Sequence, residues 1–528
     1  MFSSSSLNIK FIFLTRIVYL LLDWIGLIGP KPIRGLPKIP SLPIVGNIFE
    51  VIKNPSVKYS EWAERYGDVF QMRIGNKIVV VANSFESVKE LWIKNGDANN
   101  SRPLLYTFHS VVSSTQGFTI GTTPYGESYK KKKKIVATAL NKKSIEQHKS
   151  FIAEECHNMF QRIDSQIVSI DDNDIDLFKV LQGFVLRVSL YLTYGYLVEI
   201  DNSDRDELFD EICLVENRII RLRGHTSNLQ DYLPFLRFMP TNTKTSQAMD
   251  YRNRRDVYMD GFKSNLQAKI QQGSDYKDSL VSRALDPDNK DFPKVNSDEL
   301  RSICLTMVSA GLDNTPLVLN HILGHLSHKK GKALQDIALK EIEKVHGCLK
   351  KAFFECQNES KVDYVIAILR EGLRYFTVLP TSLPRTTTKP IFYKGVVIPA
   401  GTIMFMNAFG ANHDCQHYEL PFDFDPNRYL NQENKLKDSE GLSTFTFGAG
   451  SRMCAGSHLA MKEMYVALIR FIILYQIESP QKLSEDLMEL DPFKLNSVPD
   501  SVAFEPKPFK VKLKKRNDII FDQLVYGK

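Results

Sequence analysis

Cysteine is scarce in this chain and shows no pairing pattern. The 528 residues hold seven, Cys156, Cys213, Cys304, Cys348, Cys356, Cys415 and Cys454. An odd number without zinc-ligand spacing argues against a disulfide framework or a structural zinc, and reads as reduced, cytosol-facing thiols. Beyond about residue 45 there is no long Gly/Ser linker, no repeat period and no acidic block, whereas helical apolar spacing recurs through the middle. The length would accommodate about two to four domains, yet this continuity points to one catalytic domain over residues 46–528. A net charge of +7 is modest. No recognition motif or aromatic RNA-reading string accompanies the lysine runs, so nucleic acid is not an expected partner.

The first distinctive segment is apolar. Phe11 to Ile28 is mostly Phe, Ile, Leu, Val and Tyr, close to the roughly 20 residues of a membrane-spanning helix. Arg16 and Asp23 interrupt it nearer its ends, where a long cationic side chain can reach the interface. No compact charged start or small-residue cleavage pattern precedes Pro30, so residues 1–29 read as an uncleaved anchor rather than a signal peptide. Lys31, Arg34 and Lys38 follow the span and only Lys10 precedes it, which places the bulk of the chain in the cytosol. Pro30, Pro32, Pro37, Pro40 and Pro43 exclude helix and make residues 30–45 an extended strap.

After Gly46 a helical stretch ends near Tyr66. Val69 to Ile74, a Gly75-Asn76 turn and Ile78 to Val81 then form a hairpin signature. A long helical region follows, and strand-like runs return at Ile391 to Ile398 and in the last forty residues. The expected fold class is mainly α with small β-sheets, with strands from both ends closing one sheet late. The longest helix starts at an Asn296-x-x-Glu299 capping pattern and runs to about His328. Midway, Ala310 to Pro316 interrupts its apolar face, and Pro316 cannot donate to the carbonyl of Leu312, so a distortion is expected there.

Near the C-terminus stands Phe447-Gly448-Ala449-Gly450-Ser451-Arg452-Met453-Cys454-Ala455-Gly456, a single cysteine in a glycine-rich loop leading into an amphipathic helix. The glycines permit tight turns and close approach to a flat ligand, and the following helix aims its N-terminus at the sulfur, which favours a thiolate. This string resembles the haem-binding loop of the cytochrome P-450 family. The resemblance implies that fold, with Cys454 as the axial thiolate of the haem iron, Arg452 on a haem propionate, Phe447 packed near the sulfur and Gly456 letting the helix pass the porphyrin. No C-x-x-C-H occurs, so the cofactor would be haem b held non-covalently.

The resemblance extends further. It makes Ala310 to Pro316 an oxygen-binding groove in which Gly311 admits dioxygen, Asp313 feeds protons, and Asn314 stands where an alcohol is usual, with Thr315 next. An amide donates hydrogen bonds but does not relay a proton as a hydroxyl does. It makes Glu371, Arg374 and Arg428 a buried charge triad and Arg385 a second propionate partner. A third partner is expected after Tyr125-Gly126-Glu127, where Tyr129 and Lys133 replace the usual Trp and Arg. Lys133 then points inward only if its neighbours in the Lys130 to Lys134 run point elsewhere, and the remaining lysines form a face for an NADPH-dependent flavoprotein reductase. His413 and His458 have no ligand partner at useful spacing and read as structural.

The implied activity is a haem-thiolate monooxygenase on the endoplasmic reticulum membrane, acting with dioxygen on an apolar organic substrate. The pocket-forming loops would be Leu104 to Thr122, Thr377 to Leu383 and Val498 to Phe504. Two alternatives remain open at this point. One is a haem-thiolate isomerase or dehydratase that acts on a peroxide without a reductase, which Asn314 keeps in play. The other is a non-catalytic haem sensor.

Overall fold

The computed structural model describes Val18 and residues 29–528 except 169–173, 196–206, 225, 227, 240–241, 273–278, 287, 438–443 and 481–491. Apart from Val18, the anchor expected over Phe11 to Ile28 lies outside the described residues. Five helices bear on the site: α1 (Glu127–Ala139), α2 (Phe178–Tyr194), α3 (Ser297–Ser327), α4 (Asp363–Phe376) and α5 (Ser457–Leu474). The axis is α3, about 46 Å long at 1.5 Å per residue. Its capping box is complete: Glu299 N donates to Asn296 Oδ1 (2.8 Å) and Asn296 N donates to the Glu299 carboxylate (3.2 Å). Among the described residues it is the one helix long and apolar enough to cross a membrane, but it is buried in the core.

The helix runs through Pro316 without ending there. Close packing accompanies that continuity. A Cβ at Gly311 would lie 2.9 Å from Ser189 Oγ of α2, and one at Gly372 of α4 would lie 2.4 Å from the Ile322 side chain. Gly311 is thus a close-packing glycine whose vacant Cβ direction faces α2, a demand that the groove reading alone did not anticipate.

Among the described residues, nine strands form three small sheets. β1 (Val69–Ile74) and β2 (Lys77–Ala82) pair as the expected hairpin, with Ile74 opposite Lys77 and Gly75 at φ +55°. β3 (Asp174–Ile175) precedes β4 (Arg385–Thr386), β5 (Ile391–Tyr393), β6 (Val396–Ile398) and β7 (Ile403–Met406), and β8 (Tyr475–Glu478) and β9 (Val511–Lys515) come last. The orders are β1-β2-β7-β4, β3-β9-β8 and β5-β6. A late strand does close the N-terminal hairpin, but it is β7, parallel to β2 with Val80 opposite Met404. The strand in the last forty residues pairs with β8 and β3 instead.

The proline strap lies along β1. Gln71 ties it down: its side-chain amide donates to the Ile33 and Leu36 carbonyls (2.7 and 2.8 Å) and accepts from Ile33 N (2.7 Å). Its backbone pairs with Pro37 O and Ile39 N.

Candidate active site

Positive φ is required twice in the cysteine loop, at Gly448 (+75°) and Gly450 (+58°), a region that costs L-residues energy. At Gly450 a Cβ would also sit 2.4 Å from the Trp92 carbonyl. Gly456 differs, for it is at φ −92° and a Cβ there would make ordinary contacts, 3.8 Å from Cys454 Sγ. The loop closes through Cys454 N donating to Phe447 O (2.9 Å), with Phe447 half-buried.

Cys454 keeps accessible surface although protein surrounds it and burial raises its thiol pKa, opposed by the Gly456 N–H and the Lys133 ammonium. The Gly456 N–H at the N-cap of α5 thus works toward the thiolate, in the sense expected of a helix N-terminus, while burial works against it. A metal bound to the sulfur would supply the missing stabilisation. Ala310 is likewise accessible in the middle of the otherwise buried α3, with Gly311 and Asn314 half-buried beside it.

Arg452 and Arg385 converge with an arginine that sequence reading missed. Arg102 donates to the Leu383 and Pro384 carbonyls (both 2.7 Å). Arg385 donates to the Asn99 and Ala449 carbonyls, and Arg452 to those of Asn100 and Thr123. None of the three pairs with a carboxylate among the described residues. Burial pulls all three guanidinium pKa values down, Arg385 to about 9 and Arg452 to about 10, and the Arg452 charge lowers the other two further. Arg452 Nη2 and Arg102 Nε are buried without an acceptor. Tyr129 lies under the Arg452 guanidinium (3.5 Å to the ring centre) and donates to Ser451 O (3.1 Å). Lys133 also reaches Ser451 O, and lies 3.4 Å from Met453 O. Buried cations with unused N–H groups fit the two carboxylates of a porphyrin, and a neighbouring accessible cysteine fits its iron.

The lysine run divides differently from expectation. Lys130, Lys131 and Lys134 are exposed, but Lys132 as well as Lys133 turns inward. Consecutive helical positions point about 100° apart, and Lys132 reaches the opposite way, to Thr123 Oγ1 (2.8 Å) and Ser302 Oγ of α3 (3.0 Å). Burial lowers its pKa to about 8.

On α3, Asp313 is buried and accepts from Gln182 Nε2 of α2 (2.9 Å), while its other oxygen has no partner. Burial raises its pKa from 3.8 to about 7. It lines a cavity with Asn217, Ser501, Glu505 and Leu317. Asn314 Nδ2 donates to Ala310 O (3.1 Å), and Thr315 is buried with no hydrogen bond to either neighbour. The three residues thus present separate faces rather than a joined relay.

Glu371, Arg374 and Arg428 meet. Arg374 holds Glu371 through two bonds (2.8 and 2.7 Å) and donates to the Asn412, Pro421 and Asp423 carbonyls. Arg428 Nε reaches Glu371 Oε1 at 3.1 Å. His413 is buried with Nδ1 on Phe409 O, and His458 is exposed. Among the described residues no group of three His, Cys, Asp or Glu could hold a metal ion.

The cytochrome P450 family model matches residues 37–513. The chain belongs to the cytochrome P450 family. Phenylacetate 2-hydroxylase of Emericella nidulans is similar to this P450, 41% identical over 507 residues, 96% of this chain and 95% of the relative. A 3-hydroxyphenylacetate 6-hydroxylase of the same organism is 36% identical, covering 92% and 91%. Cytochrome P450 monooxygenase CYP3 of Mycosarcoma maydis is 34% identical, covering 91% and 87%. This P450 is a monooxygenase with the mainly α fold of its family, and membership brings a haem, dioxygen, an organic substrate and a redox partner.

Proposed function

We propose that this P450 hydroxylates a small arylacetate-type acid, with electrons from an NADPH-dependent flavoprotein reductase. An apolar substrate was the expectation from sequence. The names of the two Emericella relatives, together with cations beside the pocket, support an aromatic acid instead. One oxygen atom of dioxygen enters a C–H bond of the ring, and two electrons and two protons carry the other away as water. The convergence of Arg102, Arg385 and Arg452, without a carboxylate among the described residues, beside the loop that bears Cys454 carries the haem-enzyme part of this reading, and the acid substrate rests on the relatives' names and on the cation Arg223 at a second cavity.

Haem b, when bound, supplies the reductive activation of dioxygen. Cys454 would ligate its iron, and Arg102, Arg385, Arg452, Tyr129 and Lys133 would hold its propionate edge, with Phe447 packed by the sulfur. Asp313 is poised to take up and release a proton near neutral pH, since burial raises its pKa to about 7, and Asn217, Ser501 and Glu505 line the same cavity. Asn314, half-buried with one amide N–H spent on the Ala310 carbonyl, is left to orient water or the reacting oxygen. Lys130, Lys131 and Lys134 form the docking face for the reductase. Residues 1–29 anchor the protein to the endoplasmic reticulum membrane, 30–45 form the strap, and 46–528 form one catalytic domain facing the cytosol.

The test is reconstitution with a purified reductase. Phenylacetate should stimulate NADPH consumption and yield a ring-hydroxylated acid, and Cys454→Ser should abolish both turnover and the red-shifted carbonyl Soret band. Turnover of a hydroperoxide at full rate without NADPH would replace this reading with the isomerase one.

A further inference from the structure

A second, partly open cavity is lined by Arg102, Leu105, Phe108, His109, Arg223 and Leu383, among others. The mix of an apolar wall with few polar groups is typical of ligand pockets. Three cationic or titratable side chains face it, and two are already engaged. Arg102 holds the Leu383 and Pro384 carbonyls through Nη1 and stands within the arginine trio already assigned to the propionates. His109 is bonded at Nδ1 to Leu105 and at Nε2 to the Thr122 carbonyl, and burial lowers its pKa, so it is neutral at pH 7.

Arg223 is different. Its guanidinium lies over the Phe108 ring (4.8 Å to the centre), and its Nε is buried without an acceptor. No hydrogen bond or ion pair engages it among the described residues. The nearest acidic groups do not neutralise it at contact: Glu216 accepts from Tyr258 (2.6 Å) and Asp313 from Gln182. A planar cation held by an aromatic face, with its donor edge unused beside a cavity, is suited to a carboxylate taken bidentately.

We infer that Arg223 is the specificity residue of this pocket, binding the carboxylate of the substrate while the ring rests on the wall formed by Leu105, Phe108 and Leu383. The inference rests on the arylacetate reading above and deepens it. Anchoring one end of a small acid limits which ring carbons reach the reacting centre, so Arg223 would also govern regiochemistry.

The experiment titrates the haem-loaded full chain with phenylacetate and with its methyl ester, following the Soret shift and thermal stabilisation. The parent should prefer the acid. Arg223→Gln should weaken phenylacetate binding about 10- to 100-fold, leave the ester within about 2-fold, and broaden the mixture of hydroxylated products. Arg223→Lys, which keeps the charge and loses the fork, should fall between them. Equal acid affinity in parent and Arg223→Gln would overturn the inference while leaving the arylacetate reading intact. Equal loss of acid and ester would also overturn it, by making the residue merely structural. A parent that binds neither the acid nor its hydroxylated analogue would bring down the arylacetate reading and this inference together.

Discussion

Two of the buried arginine clusters in this P450 are built oppositely. In the triad, Arg374 has all five guanidinium N–H groups directed at acceptors, two on Glu371 and three on carbonyls, and Arg428 shares the same carboxylate. In the trio of Arg102, Arg385 and Arg452 the acceptors are carbonyls alone, like charges face one another, and N–H groups are left over. Burying a guanidinium is tolerable where a carboxylate and well-aimed carbonyls replace water. The triad meets that requirement internally, so it serves the fold. The trio meets it only with anions from outside, so it serves a ligand.

The contrast breaks most severely at Glu371. Glu371→Gln should strand two buried cations and cost about 3–5 kcal/mol, read as a fall in the denaturation midpoint and loss of folded protein. Arg452→Gln should do the reverse to the two properties. The haem-free protein should unfold at an unchanged or higher temperature, because a like charge has gone, while haem retention should weaken by about 10- to 100-fold, measured by transfer to an excess of an apo-globin. Equal destabilisation by both variants would erase the distinction between the clusters.

The smallest effect sharpens the comparison with a buried acid that has no cation at contact. Asp313 has a folded pKa near 7, raised from 3.8 by burial. Its folded form therefore holds the proton more tightly than the unfolded chain. The associated stability is complete below about pH 4 and is lost as pH rises through 7. Asp313→Asn should remove that slope, so its stability advantage over the parent should grow from pH 4 to pH 7, by a few kcal/mol at most, and then level off. The same variant should slow turnover and enlarge the solvent isotope effect.

Local patterns were the legible part of this molecule. The Asn296 and Glu299 cap, the Gly75 hairpin and the three-residue spacing of Glu371 and Arg374 depend on neighbours a turn or less away, and each forms where the spacing predicts. The tight turns of the cysteine loop were legible because its glycines are contiguous with it. Arg102 was not, because nothing near Ser101-Arg102-Pro103 announces that Leu383, Pro384 and the cysteine loop will fold around it. Lys132 and Lys133 are identical in type and adjacent in sequence; only the positions of α3 and the cysteine loop decide which way each turns. Strand partners failed for a related reason, since β7 and β9 are both short and late, and pairing β2 with one of them is settled by long-range packing.

With the propionates placed as proposed, the arginine trio would also tie the lifetime of the polypeptide to cofactor supply. A ligand that binds only the folded chain stabilises it by RT ln(1 + [L]/Kd), about 2.7 kcal/mol at a hundredfold excess over Kd. Three mutually repelling cations raise the free energy of the folded chain before that ligand arrives, and their repulsion is relieved once propionates lie among them. In a cell short of haem, the newly made protein would dwell longer in partly open forms exposed to proteolysis. Abundance, and not only catalytic competence, would then follow haem availability.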